Sequence, residues 1–303
     1  MASGVIHIQS LRDYFNPLFA FNSILIKKIF IKRFDTEGVL AQTEDSIAIE
    51  EPLEIRIGYG TASNRQRKPI AVTMRTPGQD FELALGFLYT EGVIFSKNDV
   101  KSIRFVAENV VLIDLNENVV FDLDALNRNF YTTSSCGVCG KASLDAVSTT
   151  ARFLLQKGFP KVSKNLLSGL PEKLLAVQQS FNETGGVHAS ALFNLNVTAS
   201  GARQSGEALK MYEDVGRHNA LDKLIGWAFQ QDILPLKNHI LLVSGRASFE
   251  LIQKASMAGI SIVAAVGAPS SLAVELAEEN GMTLIGFLKK DTFNVYTGFE
   301  RVL

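Results

Sequence analysis

The chain has two cysteines, Cys136 and Cys139, and they stand close together in Tyr131-Thr-Thr-Ser-Ser-Cys136-Gly-Val-Cys139-Gly-Lys141. A Cys-x-x-Cys pair can be a redox dithiol, half of a zinc site, a nucleophile with a helper thiol, or two inert residues in a turn. Its position narrows the choice. Leu144, Val147, Ala151 and Leu154 recur at helical spacing, so the pair is expected at the N-terminus of a helix. Unsatisfied amides and the positive end of the helix dipole favour a thiolate there, and Lys141 adds a cation. Glycines on both sides of Val138 leave the sulfurs uncrowded, and four hydroxyl residues rather than a hydrophobic shell precede them. These features favour a reactive or ligating pair over an inert one. A structural zinc site is disfavoured, because two thiolates supply half of the usual four ligands and only distant histidines or a second subunit could complete the set.

The elements that must position this pair fall into two kinds. Residues 35–124 read mainly as β, with strands expected at 54–57, 70–74, 102–107, 110–115 and 119–123, the last three as a meander. One helix, 81–91, follows the turn Thr76-Pro77-Gly78 and is stopped by Gly92. Beyond the cysteines a helix is expected at 171–181 and a strand at 187–193. Helix and strand then alternate: helix 217–229, strand 239–244, helix 247–258, strand 261–266, helix 270–280, strand 283–287 and a last strand at 293–296. That alternation predicts an α/β fold whose mixed or parallel sheet is covered on both faces. The domain expectation is an N-terminal extension at 1–34, a smaller β-rich lobe at 35–135 and an α/β domain at 136–303.

Composition bounds the function. With 303 residues, 47% of them hydrophobic and 20% charged, the chain is globular. A formal net charge of -1 gives no global field to recruit nucleic acid. Two cysteines this close cannot staple so long a chain, which fits a reducing, cytoplasmic compartment. The apolar run at 15–26 is interrupted by Asn16, Pro17, Asn22 and Ser23 and falls short of the roughly 20 residues of a membrane span. It lacks the features of a signal peptide, and the cations Lys27, Lys28, Lys32 and Arg33 leave only a weak membrane-surface reading beside that of a loosely docked extension. Asn182-Glu-Thr184 and Asn196-Val-Thr198 match the glycosylation pattern by chance.

Several turns could hold a ligand. Ser244-Gly245-Arg246 and Gly267-Ala-Pro-Ser270-Ser271 place glycine and hydroxyls at strand ends, where helix amides can meet an anion, although helix capping alone would explain the serines. The segment 213–223 packs Arg217, His218 and Asn219 behind Gly216, and that density favours a ligand-facing loop over an ion-paired surface turn. His188 begins His-Ala-Ser where a zinc deaminase would carry His-x-Glu; Ser190 replaces that Glu, and the cysteine pair comes earlier and without proline, so deaminase chemistry is not expected. Residues 287–292 join two short strands; Lys289-Lys290-Asp291 is either a plain solvated hairpin tip or a site whose cations and backbone amides would suit a pyrophosphate or guanine.

Taken in order, these segments resemble the FdhD family, the accessory sulfurtransferases required for formate dehydrogenase activity. The resemblance runs from about residue 34 to the C-terminus through Met74-Arg-Thr-Pro-Gly78 with Glu82-Leu-Ala-Leu-Gly-Phe87, Ser135-Cys-Gly-Val-Cys-Gly140, Thr184-Gly-Gly-Val-His188, Glu213-Asp-Val-Gly-Arg-His-Asn219, Ser244-Gly-Arg246, Ala268-Pro-Ser-Ser271 and Phe293-Asn-Val-Tyr-Thr297. It implies a cytidine-deaminase-like fold without the zinc chemistry. It implies a carrier that takes sulfur from a cysteine desulfurase and passes it to a molybdenum or tungsten cofactor bearing two pterin guanine dinucleotides, of which guanosine diphosphate is a partial mimic. By that resemblance Cys136 carries the persulfide and Cys139 helps, and the cofactor-binding segment maps onto Phe287, Leu288, Lys289, Lys290, Asp291 and Thr292, with Ser244, Gly245, Arg246, Ser270 and Ser271 supplying further anion contacts. A homodimer is implied as well. The competing readings are a cofactor-binding chaperone whose cysteines are not catalytic, and a thiol-disulfide oxidoreductase, for which the thioredoxin-like βαβ context is missing.

Overall fold

The computed structural model describes residues 25–36, 38–121, 152–195 and 206–303. Cys136, Cys139, the expected strand residues 122–123 and the expected helix as far as Ala151 lie outside the described residues. Strands β1 (Ile26–Asp35) and β2 (Gly38–Ala48) form an antiparallel hairpin. It begins inside the segment read as an extension, and Lys28 of that segment pairs with Glu44 across the strands at 2.7 Å.

Strands β3 (Glu51–Tyr59), β4 (Gln66–Arg75), β5 (Val100–Ala107) and β6 (Val110–Leu115) make a four-stranded sheet in the order β4-β3-β6-β5. In β3, Leu53, Ile55 and Ile57 point inward while Glu54 and Arg56 pair with each other outside, the period-2 pattern of a half-buried strand. The first two strands of the expected meander pair antiparallel as β5 and β6; β6 in turn lies parallel to β3, which requires a crossover, and α1 (Asp80–Thr90) lies within that crossover. The expected strand at 119–123 is corrected over its described part: residues 119–121 are irregular, and Val120 is exposed.

Strands β7 (His188–Asn194), β8 (Ala208–Asp214), β9 (His239–Val243), β10 (Ile262–Ala265), β11 (Thr283–Gly286) and β12 (Asn294–Thr297) form the mixed sheet that the alternation predicts, in the order β12-β11-β10-β9-β7-β8. β9, β10 and β11 are parallel, and their runs HILLV, IVAA and TLIG are almost wholly buried, as strands covered on both faces must be. One face carries α2 (Lys164–Val177), whose Leu167, Leu170 and Leu174 pack on Ala191, Phe193, Leu242 and Ile285. The other carries α4 (Arg217–Gln231), α5 (Phe249–Met257) and α6 (Ser271–Glu279). Because α1 packs along α4, one continuous apolar core runs from the four-stranded sheet through these helices to the six-stranded sheet.

Helix α2 begins earlier than expected. Pro171 reads as a helix start, yet Ser163 caps the helix by accepting from the Leu166 amide at 3.2 Å, and Pro171 lies inside. The buried leucine face outweighs the one backbone bond that proline cannot make. A short helix α3 (Gln179–Thr184) follows after a break at Gln178. The expected helix through Leu154 is corrected at its described end: residues 152–153 form a bend, and Leu154 is irregular and 95% exposed rather than part of an apolar stripe. Among the described residues no helix is long and apolar enough to cross a membrane.

Candidate functional site

Strand directions bring the suspected turns together. β8, β9, β10 and β11 end at one edge of the six-stranded sheet, and the antiparallel strands β7 and β12 begin there. Along this edge, in order, lie Phe287, Gly267, Ser244 to Arg246, His188 and the start of α4. In an α/β sheet this is where ligands are held, because strand ends and helix starts leave backbone and side-chain groups facing a common crevice.

The glycines at this edge are required by close approach. A Cβ on Gly267 would lie 3.0 Å from the Gly245 carbonyl oxygen, and one on Gly286 would lie 2.8 Å from Pro269 and 3.0 Å from Tyr296. The turns also brace one another, since the Gly267 amide donates to the Gly245 carbonyl and the Phe287 amide to the Gly267 carbonyl, both at 3.0 Å. These amides are therefore not free for an anion. Ser244 accepts from the Ala189 amide at 2.8 Å and anchors β7, and Ser270 caps α6 by accepting from the Ala273 amide at 3.3 Å. What remains open are the side chains of Arg246 and Lys289, both exposed, and Ser271 on the first turn of α6.

The 287–292 segment divides by environment. Phe287 holds a left-handed backbone (φ 51°) and is 44% exposed as a residue. Leu288 is wholly buried against the α2 face, so its side chain serves the core and only its backbone is left for a ligand. Lys289 closes the turn by donating its amide to the Thr292 carbonyl at 2.9 Å, and Asp291 and Thr292 are exposed. Lys290 is directed away to Glu172 of α2, at 2.9 Å.

The charged segment 213–223 proves largely structural. Glu213 caps α3, accepting from the amides of Ser180 at 2.8 Å and Phe181 at 2.9 Å. Asp214 is wholly buried and accepts from the Gly216 amide at 2.8 Å, the Thr76 amide at 3.1 Å, Asn219 Nδ2 at 3.1 Å and Lys223 Nζ at 2.8 Å. Lys223 also donates to the Thr76 carbonyl at 2.8 Å, and Asn219 to the Met74 carbonyl at 2.7 Å, so this knot ties the end of β4 to the start of α4. Asp222 pairs with Lys254 of α5 at 2.9 Å and accepts from Thr90 of α1 at 3.0 Å. Nothing in the local sequence distinguishes these buried pairs from a solvated turn; their partners lie on remote elements.

Two residues of the segment face the edge, Arg217 and His218. His218 Nε2 lies 3.4 Å from Ser248 Oγ and 3.8 Å from Glu250. Burial, then the nearby Arg217, Lys254 and His188, hold the His218 imidazole down to about 3, so it is neutral at physiological pH. His188 is likewise lowered by burial and by Arg217, against a smaller pull from Asp214. Gly245 admits this ring: a Cβ there would lie 3.3 Å from His188 Nδ1. Ser190, one pleat in from His188 on the same face of β7, is buried, and its hydroxyl has no hydrogen-bond partner among the described residues.

The fold and edge define a class: a mixed α/β protein whose suspected turns share one edge of its six-stranded sheet and, in its sequence, a Cys-x-x-Cys pair. Comparison makes the class particular. The sequence model of the FdhD/NarQ family matches residues 48–303, and the chain belongs to that family. It is 50% identical over 276 residues, 88% of this chain and 92% of the other, to a protein of Streptomyces coelicolor named sulfur carrier protein FdhD. It is 43% identical over 277 residues, 91% of this chain and 98% of the other, to the protein of that name from Sulfolobus acidocaldarius. In fold it is similar to a crystallised protein from Desulfotalea psychrophila described as a formate dehydrogenase accessory protein, with a TM-score of 0.68 at 20% identity over 92% of this chain and all of that one.

Proposed function

We propose that this chain is a sulfur carrier that serves formate dehydrogenase, with Cys136 as the carrying thiol. The observation that supports this reading from the structure is the convergence of the 244–246, 267–271 and 287–292 turns, far apart in sequence, on one sheet edge. That edge has the chemistry for a large anionic client: Arg246 and Lys289 for phosphate, the start of α6 for further oxygens, and the exposed Phe287 ring for a base to stack on. The client is the molybdenum or tungsten cofactor with its two pterin guanine dinucleotides, and guanosine diphosphate carries enough of it to act as a probe.

The Cys136 thiolate attacks the outer sulfur of a persulfide on a cysteine desulfurase. The S–S bond of the desulfurase breaks, its cysteine leaves as thiolate, and Cys136 becomes the persulfide with no net change in oxidation state. Direct delivery returns Cys136 to a thiol, and the two electrons that reduce the transferred sulfur come from the client's metal. If Cys139 instead attacks Cys136, hydrosulfide departs, the two electrons come from the dithiol, and a Cys136–Cys139 disulfide remains. We assign Cys139 the helper role, and place the reaction in the cytoplasm in a homodimer.

Intact mass after incubation with a desulfurase and cysteine tests the carrier role. The wild type should gain a sulfur that dithiothreitol removes, and Cys136→Ser should gain none. Equal gain by the variant, or none by the wild type, would overturn the assignment.

A further inference from the structure

The carrier reading leaves the β1–β2 hairpin without a role. The hairpin joins the body through β2, which meets α3, and a Cβ on Gly186 would lie 3.5 Å from the Ala48 side chain. β1 is therefore the outer strand of a two-stranded sheet, and among the described residues its far edge pairs with no other strand. Its side chains alternate between two faces. Lys28, Phe30 and Lys32 share one face, and Phe34 follows on it beyond a register shift at Arg33. Phe30 is 73% exposed and Phe34 63%. The two rings stand about 14 Å apart along the strand, with Lys32 between them.

The charges of this ribbon are unevenly engaged. β1 carries Lys27, Lys28, Lys32 and Arg33 against one acid, Asp35, which accepts from the Gly38 amide at 3.1 Å in the turn. On β2, Glu44 is held by Lys28 at 2.7 Å, and Glu183 of α3 is the further acid that acts on that lysine. Asp45, opposite Ile29 on the other face, accepts from the Ser46 amide at 3.0 Å. Lys27, Lys32 and Arg33 make no ion pair among the described residues. The Phe30 and Phe34 face is thus apolar with an unpaired cation between its rings, and Lys27 and Arg33 add to the positive field on that side of the molecule.

Such a face can lay its rings at the acyl boundary of a bilayer while its ammonium groups stay at the level of the phosphates. The sign of the unpaired charge selects an anionic headgroup. An acidic protein surface would meet those two features equally well. The sequence favours lipid, because β1 is continuous with the apolar run at 15–26, which is too short to span a membrane and has the length of an interfacial segment. We propose that the β1–β2 hairpin is a membrane-surface docking element whose Phe30, Phe34 and Lys32 rest on anionic phospholipid. Two rings and a few cations make a reversible contact rather than a permanent anchor. The inference goes beyond the carrier reading and does not depend on it.

Flotation of the full chain with lipid vesicles tests this. The wild type should float with vesicles of equal parts phosphatidylcholine and phosphatidylglycerol and stay behind with phosphatidylcholine alone. Lys32→Gln should weaken the binding about fivefold. The double variant Phe30→Ser, Phe34→Ser should weaken it about tenfold or more and melt at the wild-type temperature, since both rings are exposed. The proposal is overturned if the wild type floats with neither kind of vesicle or with both alike. It is overturned if the double variant floats like the wild type, which would assign the lipid contact to residues outside the hairpin. A change in the mass of either variant at sedimentation equilibrium without lipid would make the face an interface between copies instead. A wild type that binds soluble polyglutamate as tightly as the anionic vesicles would replace the lipid with an acidic protein.

Discussion

Gly86 of α1 and Gly226 of α4 lie face to face where the two helices cross. A Cβ on Gly86 would come within 1.8 Å of the Asp222 carbonyl oxygen, and one on Gly226 within 1.8 Å of the Glu82 carbonyl oxygen. The partners are backbone atoms, which cannot swing aside. The crossing fixes the distance between the four-stranded sheet and the helix that presents Arg217 and His218. Gly226→Ala should therefore cost about 3 kcal/mol despite the better helix propensity of alanine, because the helices must separate. Urea denaturation measures this, and a neutral or stabilising result would show that the helices shift freely.

The Asp214–Lys223 pair, both side chains wholly buried, should be among the least replaceable in the fold. Lys223→Met removes the cation and leaves a buried carboxylate with its three remaining donors, at an expected cost of about 3–5 kcal/mol. The loss should extend to the attachment of β4, since Lys223 also holds the Thr76 carbonyl. Hydrogen exchange at Thr76 and Val215 should accelerate more than in the centre of β10; uniform acceleration would argue against a local junction.

Ser190→Ala should behave unlike most polar-to-alanine changes. Removing an unpartnered buried hydroxyl relieves a desolvation cost, so the ligand-free protein should be unchanged or more stable by about 1 kcal/mol. Thermal unfolding reads this effect, and a destabilised variant would mean that the hydroxyl has a partner at rest.

Acid should destabilise the protein through its histidines. His218 is held down to about 3 from an ordinary 6.5, by burial first and then by the charges of Arg217, Lys254 and His188, with Glu250 as the opposing neighbour. Below pH 6.5 the unfolded chain takes up a proton that the folded site refuses, so this contribution is fully present above 6.5 and is lost as pH falls toward 3. The slope is at most about 1.4 kcal/mol per pH unit for one proton. Tm should drop across that window, and His218→Gln should flatten the drop; an unaltered slope would place the coupling elsewhere.

The period-2 pattern of β3 and the unbroken apolar runs of β9, β10 and β11 are written locally, and so is the alternation that makes a mixed α/β sheet; these were legible residue by residue. So were the turns of the edge, because glycine and hydroxyl residues between an apolar strand and a helix mark a strand end wherever they occur. The β1–β2 hairpin was not legible: its strand carries Lys27, Lys28, Lys32 and Arg33 and leaves Phe30 and Phe34 exposed, so no alternation of buried and solvent positions announces it. Nor was the length of α2, where a buried leucine face overrides the boundary that Pro171 suggests.

The sequence by itself determined most of the helices and strands of the six-stranded sheet and which turns bear glycine, hydroxyl and cationic groups, because helix and strand periodicity and turn chemistry act over a few residues. Only the tertiary structure decided what those groups do. Asp214 and Asp222 look like any surface acids until Thr76, 138 positions from Asp214, and Lys254, 32 positions from Asp222, close around them, and only then do Arg217 and His218 stand apart as side chains outside the buried knot. Burial and charge pairing are properties of the packed neighbourhood, and that neighbourhood is assembled from strands and helices whose order in space the local pattern does not contain.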